Sequence, residues 1–160
     1  MSVVRFIDTS IMSNLLNIPE KNELHEETWE EFKSIVGKDT LILPVATIIE
    51  TGNHISHIDD GNVRRQIAIK FSEYLLKTAQ GETPWVLYGN ELTTDDLIFI
   101  GKNFPKYATS EIGTGDLSII TQFNDYVQTI PAGTVMIWST DAHLSAFRVD
   151  NASQTRWQRH

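Results

Sequence analysis

The sequence predicts an α/β fold, a three-layer α/β/α sandwich around a central, mostly parallel sheet. Three observations predict it. Strand-like apolar runs alternate with helix-periodic stretches along the chain, the pattern of a sheet covered on both faces. The runs VVRFI, LILP and VMIW are short and nearly continuous, as buried strands read. The 160 residues, 41% of them hydrophobic, are enough for one core, and nothing reads as a second domain, an internal repeat or a low-complexity tract.

The first strand is Val3-Val4-Arg5-Phe6-Ile7, ending at Asp8-Thr9-Ser10, with a short helix carrying Ile11, Leu15 and Leu16 behind it. A second helix runs through HEETWEEFKSIV. Leu24, Thr28, Phe32 and Ile35 or Val36 recur at helical spacing, the first turns are acidic as the helix dipole favours, and Gly37 stops it. Leu41-Ile42-Leu43 is a buried strand closed by Pro44, and a helix from about Ala46 carries Glu50.

Gly61 opens a longer amphipathic helix with Val63, Ile67, Phe71 and Leu75 on one face and Arg64, Arg65, Lys70 and Lys77 elsewhere. Trp85-Val86-Leu87-Tyr88 is a short strand. Thr93 or Thr94 caps a helix through Leu97, Ile100 and Phe104, which Pro105 is expected to end. EIGTGD turns into a helix that buries Leu117, Ile120, Phe123 or Asn124, and Val127. Pro131 and Gly133 punctuate before the strand Val135-Met136-Ile137-Trp138, and Ser139-Thr140-Asp141 comes directly after it. One domain is therefore expected over residues 1–147, with a loose polar tail over 148–160.

Composition excludes several chemistries. With no cysteine there is no disulfide, thiolate metal site or Cys nucleophile. The N-terminal apolar run is too short for a signal peptide, and no segment approaches the roughly 20 apolar residues of a membrane span, so a cytoplasmic protein without a membrane partner is expected. The formal charge of -8 runs against nonspecific binding of long nucleic acid. Divalent cations held among the carboxylates would offset part of it.

Carboxylates collect where the strands end. Asp8 terminates the first strand, Glu50 lies one or two turns into the helix after LILP, and Asp141 stands just beyond VMIWS. Ligands of open parallel sheets bind outside the carboxyl ends of the strands, so these positions share one edge. Asp116 occupies the N-terminal turn of its helix, where a carboxylate can meet a metal and a phosphate. Four carboxylates pressed together repel one another unless cations fill the gap. Hard oxygen ligands select Mg²⁺ or Mn²⁺, and such ions activate water and clamp phosphate. Phosphodiester hydrolysis without a protein nucleophile is the expected reaction.

FIDTS at the first strand's end, ATIIET, GTGDLSII and STDAHL, in that order and spacing, resemble the PIN-domain family, in the style of VapC-like toxin ribonucleases. The resemblance spans roughly residues 3 to 144. It implies a Mg²⁺- or Mn²⁺-dependent endoribonuclease, frequent homodimerisation and inhibition by a cognate antitoxin protein. It also implies that Asp8, Glu50 and Asp116 are the principal metal ligands, that Asp141 completes the cluster directly or through water, and that Ser10 (or Thr9) and Thr140 orient the neighbouring carboxylates. The chain departs from the pattern after the last acid, where Phe147-Arg148-Val149 is the one candidate for a closing strand.

Plainer readings stand beside these. Asp8 and Asp141 both suit helix N-caps, and Glu50 taken alone is an ordinary helical glutamate. Asn53 is a candidate for the substrate cleft. His54 and His57 lie near Glu50 on one helix but lack the spacing of a zinc helix. Arg64 and Arg65 suit either RNA phosphate or a solvated face. Arg156-Trp157-Gln158-Arg159 suits base stacking or a disordered terminus. A haloacid-dehalogenase-type phosphatase would want a second Asp two residues after Asp8, where Ser10 stands. Two other functions remain open: a PIN-like RNA-processing nuclease that is not a toxin, and a non-catalytic PIN-like interaction module.

Overall fold

The computed structural model describes residues 2–88, 92–129 and 132–150. Five strands form one sheet in the order β3-β2-β1-β4-β5. The strands are β1 (Val3–Ile7), β2 (Thr40–Pro44), β3 (Trp85–Tyr88), β4 (Thr134–Trp138) and β5 (Arg148–Asp150). The first four run parallel, and β5 is antiparallel to β4. Between them lie α1 (Thr9–Leu15), α2 (His25–Ile35), α3 (Val45–Ser56), α4 (Gly61–Ala79), α5 (Thr94–Ala108), α6 (Thr114–Thr129) and α7 (Ala142–Ser145).

Period-two alternation in the strands feeds two separate cores. Ile7, Leu41, Leu43, Trp85 and Trp138 face a layer built from α1, α2 and α4. Val4, Phe6, Ile42, Val135 and Ile137 face the opposite layer, where α6 presents Leu117, Ile120 and Phe123. The sandwich is thus three layers thick, and the central strands are buried on both sides. Arg5 is a charge in the middle of the central strand. It is held by Asp39 at 2.7 Å and Glu31 at 3.2 Å, with its guanidinium over the Trp138 ring.

Chain order sets the location of any site. The chain moves outward from β1 through β2 to β3, then returns to the other side of β1 for β4. The topological switch point therefore lies between the carboxyl ends of β1 and β4, where a crevice must open.

Two expectations are corrected. Helix α5 does not end at Pro105 but runs through it to Ala108. Proline cannot donate to the carbonyl four residues back, but that carbonyl belongs to Gly101, which is exposed, so water can take the place of the lost donor. Its start is firm, since Thr93 and Asp96 form a reciprocal capping box. Residues 148–150, expected to belong to a polar tail, form β5. Phe147 and Val149 pack inward while Arg148 and Asp150 stay at the surface, so the strand overlaps the Phe147-Arg148-Val149 candidate and runs one residue further. Pro131 and the RWQR segment lie outside the described residues. Among the described residues no helix is long and apolar enough to cross a membrane.

Candidate active site

Asp8 ends β1 and is 3% exposed. Its Oδ2 accepts hydrogen bonds from Ser10 Oγ and Ser139 Oγ, each at 2.8 Å. The direction of both is forced. Ser10 Oγ accepts from the Thr140 backbone N–H at 3.0 Å, and Ser139 Oγ accepts from the Asp141 N–H at 2.9 Å. Each hydroxyl thus accepts from a backbone N–H and sends its one proton to the Asp8 carboxylate, which can only accept. Asp8 Oδ1, by contrast, is buried with no hydrogen-bond partner among the described residues. An ionised oxygen left in that position calls for a cation.

Glu50 reaches the same crevice from the middle of α3. Its Oε2 accepts from Thr9 Oγ1 at 3.0 Å, so the residue next to Asp8 positions the second carboxylate. Burial raises the Glu50 pKa above the ordinary value, the Thr9 hydrogen bond lowers it, and the Asp8 charge raises it. Asp116 stands in the first turn of α6. Burial pushes its pKa up to about 6, the nearby Asp8 and Glu50 charges add to the rise, the Gly113 backbone opposes it, and Asp141 adds a smaller push. Asp116 thus feels the other three carboxylates and Glu50 feels Asp8, as groups on separate elements can only when they converge. A side chain on Gly115 would drive its Cβ into Glu50 Oε1, so the glycine leaves the room that Glu50 occupies.

Asp141 lines the crevice and also caps α7, its Oδ1 accepting from His143 N at 2.8 Å and Leu144 N at 3.1 Å. Asp8 caps α1 more loosely, at 3.4 Å from Ser10 N. The plain N-cap reading therefore holds for both residues, and it leaves oxygens to spare.

These groups line a cleft of about 390 Å³ together with Thr9, Ser10 and Thr140. Thr140 contributes its backbone N–H to Ser10. Asn53 is exposed and lines a neighbouring cleft. Arg64 is not brought to the acidic cleft, and its guanidinium donates to the Ile58 carbonyl at 2.9 Å. Arg65 is exposed on α4 and does not line the acidic cleft either.

Several residues of the site escape sequence reasoning. Ser139 is one, although the repetition of hydroxyls in DTS and STD around the two strand ends is a usable signal. Asn14 is another: its amide donates to the Ser10 carbonyl and its Oδ1 accepts from Leu24 N, tying the loop after α1 to the site. Glu20, Lys21 and His54 also face the cleft. Across Glu50 lies a largely apolar groove of about 690 Å³, walled by Val45, Ile49, Leu97 and Ile100.

Among the described residues, no three acidic or imidazole side chains stand as a finished ligand set. The donors nevertheless suit a hard divalent cation. All are oxygens, they repel one another, and Asp8 Oδ1 has no other partner among the described residues.

Strand order and layering define a three-layer α/β/α fold with an acidic crevice at its switch point. Among solved structures, the chain resembles the crystal structure of VapC20 from Mycobacterium tuberculosis, a toxin that cleaves the sarcin–ricin loop. The TM-score is 0.59 at 13% identity, over 89% of this chain and 93% of that one. At that identity the likeness speaks to fold. No family model and no curated protein matches the sequence.

Proposed function

We propose that this protein is a divalent-metal-dependent endoribonuclease acting in the cytoplasm as the toxin of a toxin–antitoxin pair. One observation carries the reading: Asp8, Glu50, Asp116 and Asp141, from four different elements, share one cleft at the sheet's switch point, with a buried Asp8 oxygen lacking any partner among the described residues. Asp8 would be the central ligand, aimed by Ser10 and Ser139. Glu50, steadied by Thr9, and Asp116 would complete the ligand set, with Asp141 offering the oxygen that does not cap α7. Mg²⁺ or Mn²⁺ bound there would supply Lewis-acid polarisation of the phosphodiester and of an attacking water. A bound cation would favour ionised Asp116, because its charge offsets the burial and the repulsion that now favour the proton there.

The toxin assignment brings a cognate antitoxin and a homodimer with it. It is supported by the likeness to a VapC structure and by the exposed apolar groove beside Glu50, a surface suited to a protein partner. Purified chain incubated with RNA tests the chemistry. Cutting should require Mg²⁺ or Mn²⁺, stop with chelator, and be abolished by Asp116→Asn. Equal cutting by a folded Asp116→Asn variant would overturn the site. Growth arrest on induction, relieved by co-expressing an adjacent small reading frame, tests the toxin role. Cutting without growth arrest would favour an RNA-processing nuclease.

A non-catalytic module is the second reading, favoured by the charge of -8 and by the lack of a finished ligand set among the described residues. Calorimetric titration separates it. A nuclease takes up Mn²⁺ and loses that uptake on Asp8→Ala, whereas a module shows no specific uptake.

A further inference from the structure

The acidic cleft is not closed at its far wall. Glu20, Lys21 and His54 line both it and a second cleft of about 480 Å³, whose floor includes Ile18 and Ile58 and whose wall carries Asn53. The two clefts therefore meet at Lys21 and His54. His54 lies one helical turn beyond Glu50 on α3, so the two side chains rise from the same face. Burial, the Lys21 ammonium and His57 all hold the His54 imidazole below its ordinary pKa, which places Lys21 close beside it.

Lys21 is delivered by a loop built to stay put. Asn17 and Glu20 both adopt left-handed backbone (φ 57° and 68°), a cost that neither residue escapes as glycine would. The loop is fastened from three sides. Ile18 is buried, its N–H bonds the Ser13 carbonyl, and Asn22 donates to the Asn17 side chain at 2.7 Å. Asn14 then secures its far end through Leu24 N and the His25 ring. On this rigid support Lys21 makes no ion pair among the described residues, although Glu20 and Glu23 line the same cleft. An unpaired ammonium beside an imidazole, at the waist between two clefts, is suited to an anion that arrives from outside.

We propose that Lys21 and His54 bind the backbone phosphate next to the one that is cut, and that a single RNA strand runs from the acidic cleft past them into the second cleft. This rests on the ribonuclease reading for the polymer, and on the waist geometry for the position. The carboxylates and their cation would hold the scissile group, while Lys21 and His54 would fix its neighbour and so the register of the strand.

The test uses fluorescence anisotropy of a labelled five-nucleotide single-stranded RNA with Mg²⁺ and the full chain carrying Asp116→Asn, which keeps the probe intact. Lys21→Ala and His54→Ala should each weaken binding roughly five- to tenfold. Lys21→Ala should also reduce the slope of log affinity against log salt by about 0.7, the share of one phosphate contact. Lys21→Arg should restore both, which a folding defect would not allow. Asn53→Glu, adding a carboxylate to the second cleft, should weaken binding at least fivefold, and Lys77→Ala on α4 should change nothing. Unaltered affinity in Lys21→Ala and His54→Ala overturns the subsite, and unaltered affinity in Asn53→Glu overturns the strand path. Cleavage by the parent chain separates the two readings. A parent that binds through Lys21 and His54 yet never cuts sinks the nuclease and leaves the subsite standing. A parent that cuts at the same rate and KM after both substitutions does the reverse.

Discussion

Ser139 Oγ donates to Asp8 Oδ2 at 2.8 Å, joining the carboxyl ends of β4 and β1 across the switch point. The bond both closes the sheet's central seam and aims the most buried carboxylate. Ser139→Ala removes that proton and strips the Asp141 N–H of its acceptor. We expect a loss of about 1 kcal/mol in urea denaturation and a roughly tenfold weaker Mn²⁺ affinity by calorimetry. Unchanged metal uptake would mean that Asp8 is aimed by Ser10 alone.

Gly115→Ala separates folding from function. The added Cβ would meet the far end of the flexible Glu50 side chain, which can swing away, so stability should change by less than about 1 kcal/mol. The displaced Glu50 would leave Thr9 and the cleft. RNA cleavage should fall at least about tenfold, since a misplacement of this size is costly at a reacting centre. A variant that cuts normally would remove Glu50 from the ligand set.

The Asp116 pKa, raised to about 6 from 3.8, has a definite sign for stability. The folded chain holds this proton more tightly than the unfolded chain, so folding is favoured below about pH 4 and the advantage is lost as pH rises through 6. A shift of this size corresponds to about 3 kcal/mol, and solvent screening at this half-buried group reduces it to about 1–2 kcal/mol. Urea midpoints of chelated protein, parent minus Asp116→Asn, should therefore become less favourable to the parent between pH 4 and 6. Adding Mn²⁺ at pH 7 should reverse the difference. A difference that grows in the parent's favour with pH would contradict the assigned environment.

Thr9→Val removes the one hydrogen bond that lowers the Glu50 pKa. Burial and the Asp8 charge would then act unopposed, and Glu50 would hold its proton to higher pH. The acid limb of the cleavage profile should move upward in pH, so that the variant loses more activity at about pH 6 than at about pH 8. An unmoved limb would show that another group controls it.

The acidic rim is legible in the sequence because strand ends are legible. VVRFI, LILP and VMIW mark three strands, and the residue that leaves a parallel strand at its carboxyl end lies on one edge whatever path its loop takes. The supporting hydroxyls are partly legible. Thr9 and Ser10 stand beside Asp8, but the sequence points to Thr140 rather than Ser139, and it is the Thr140 backbone N–H that serves Ser10. His54 is legible as a neighbour of Glu50 on one helix, but its pairing with Lys21 is hidden for a different reason. Their meeting depends on a loop with two left-handed residues, neither of them glycine, and no local pattern announces that path. Strand β5 is hard to see because three residues carry too little alternation, and it forms by pairing with β4.

Thr134, the first residue of β4, is a common mooring. Its N–H bonds the Ser2 carbonyl, and it lies opposite Asp150 in the ladder with β5. Ser2 and Asp150 are thus gathered at the pole facing away from the carboxylates. A molecule tethered to a bead through a side chain placed at either Ser2 or Asp150, both exposed, would keep its mouth turned toward the solution.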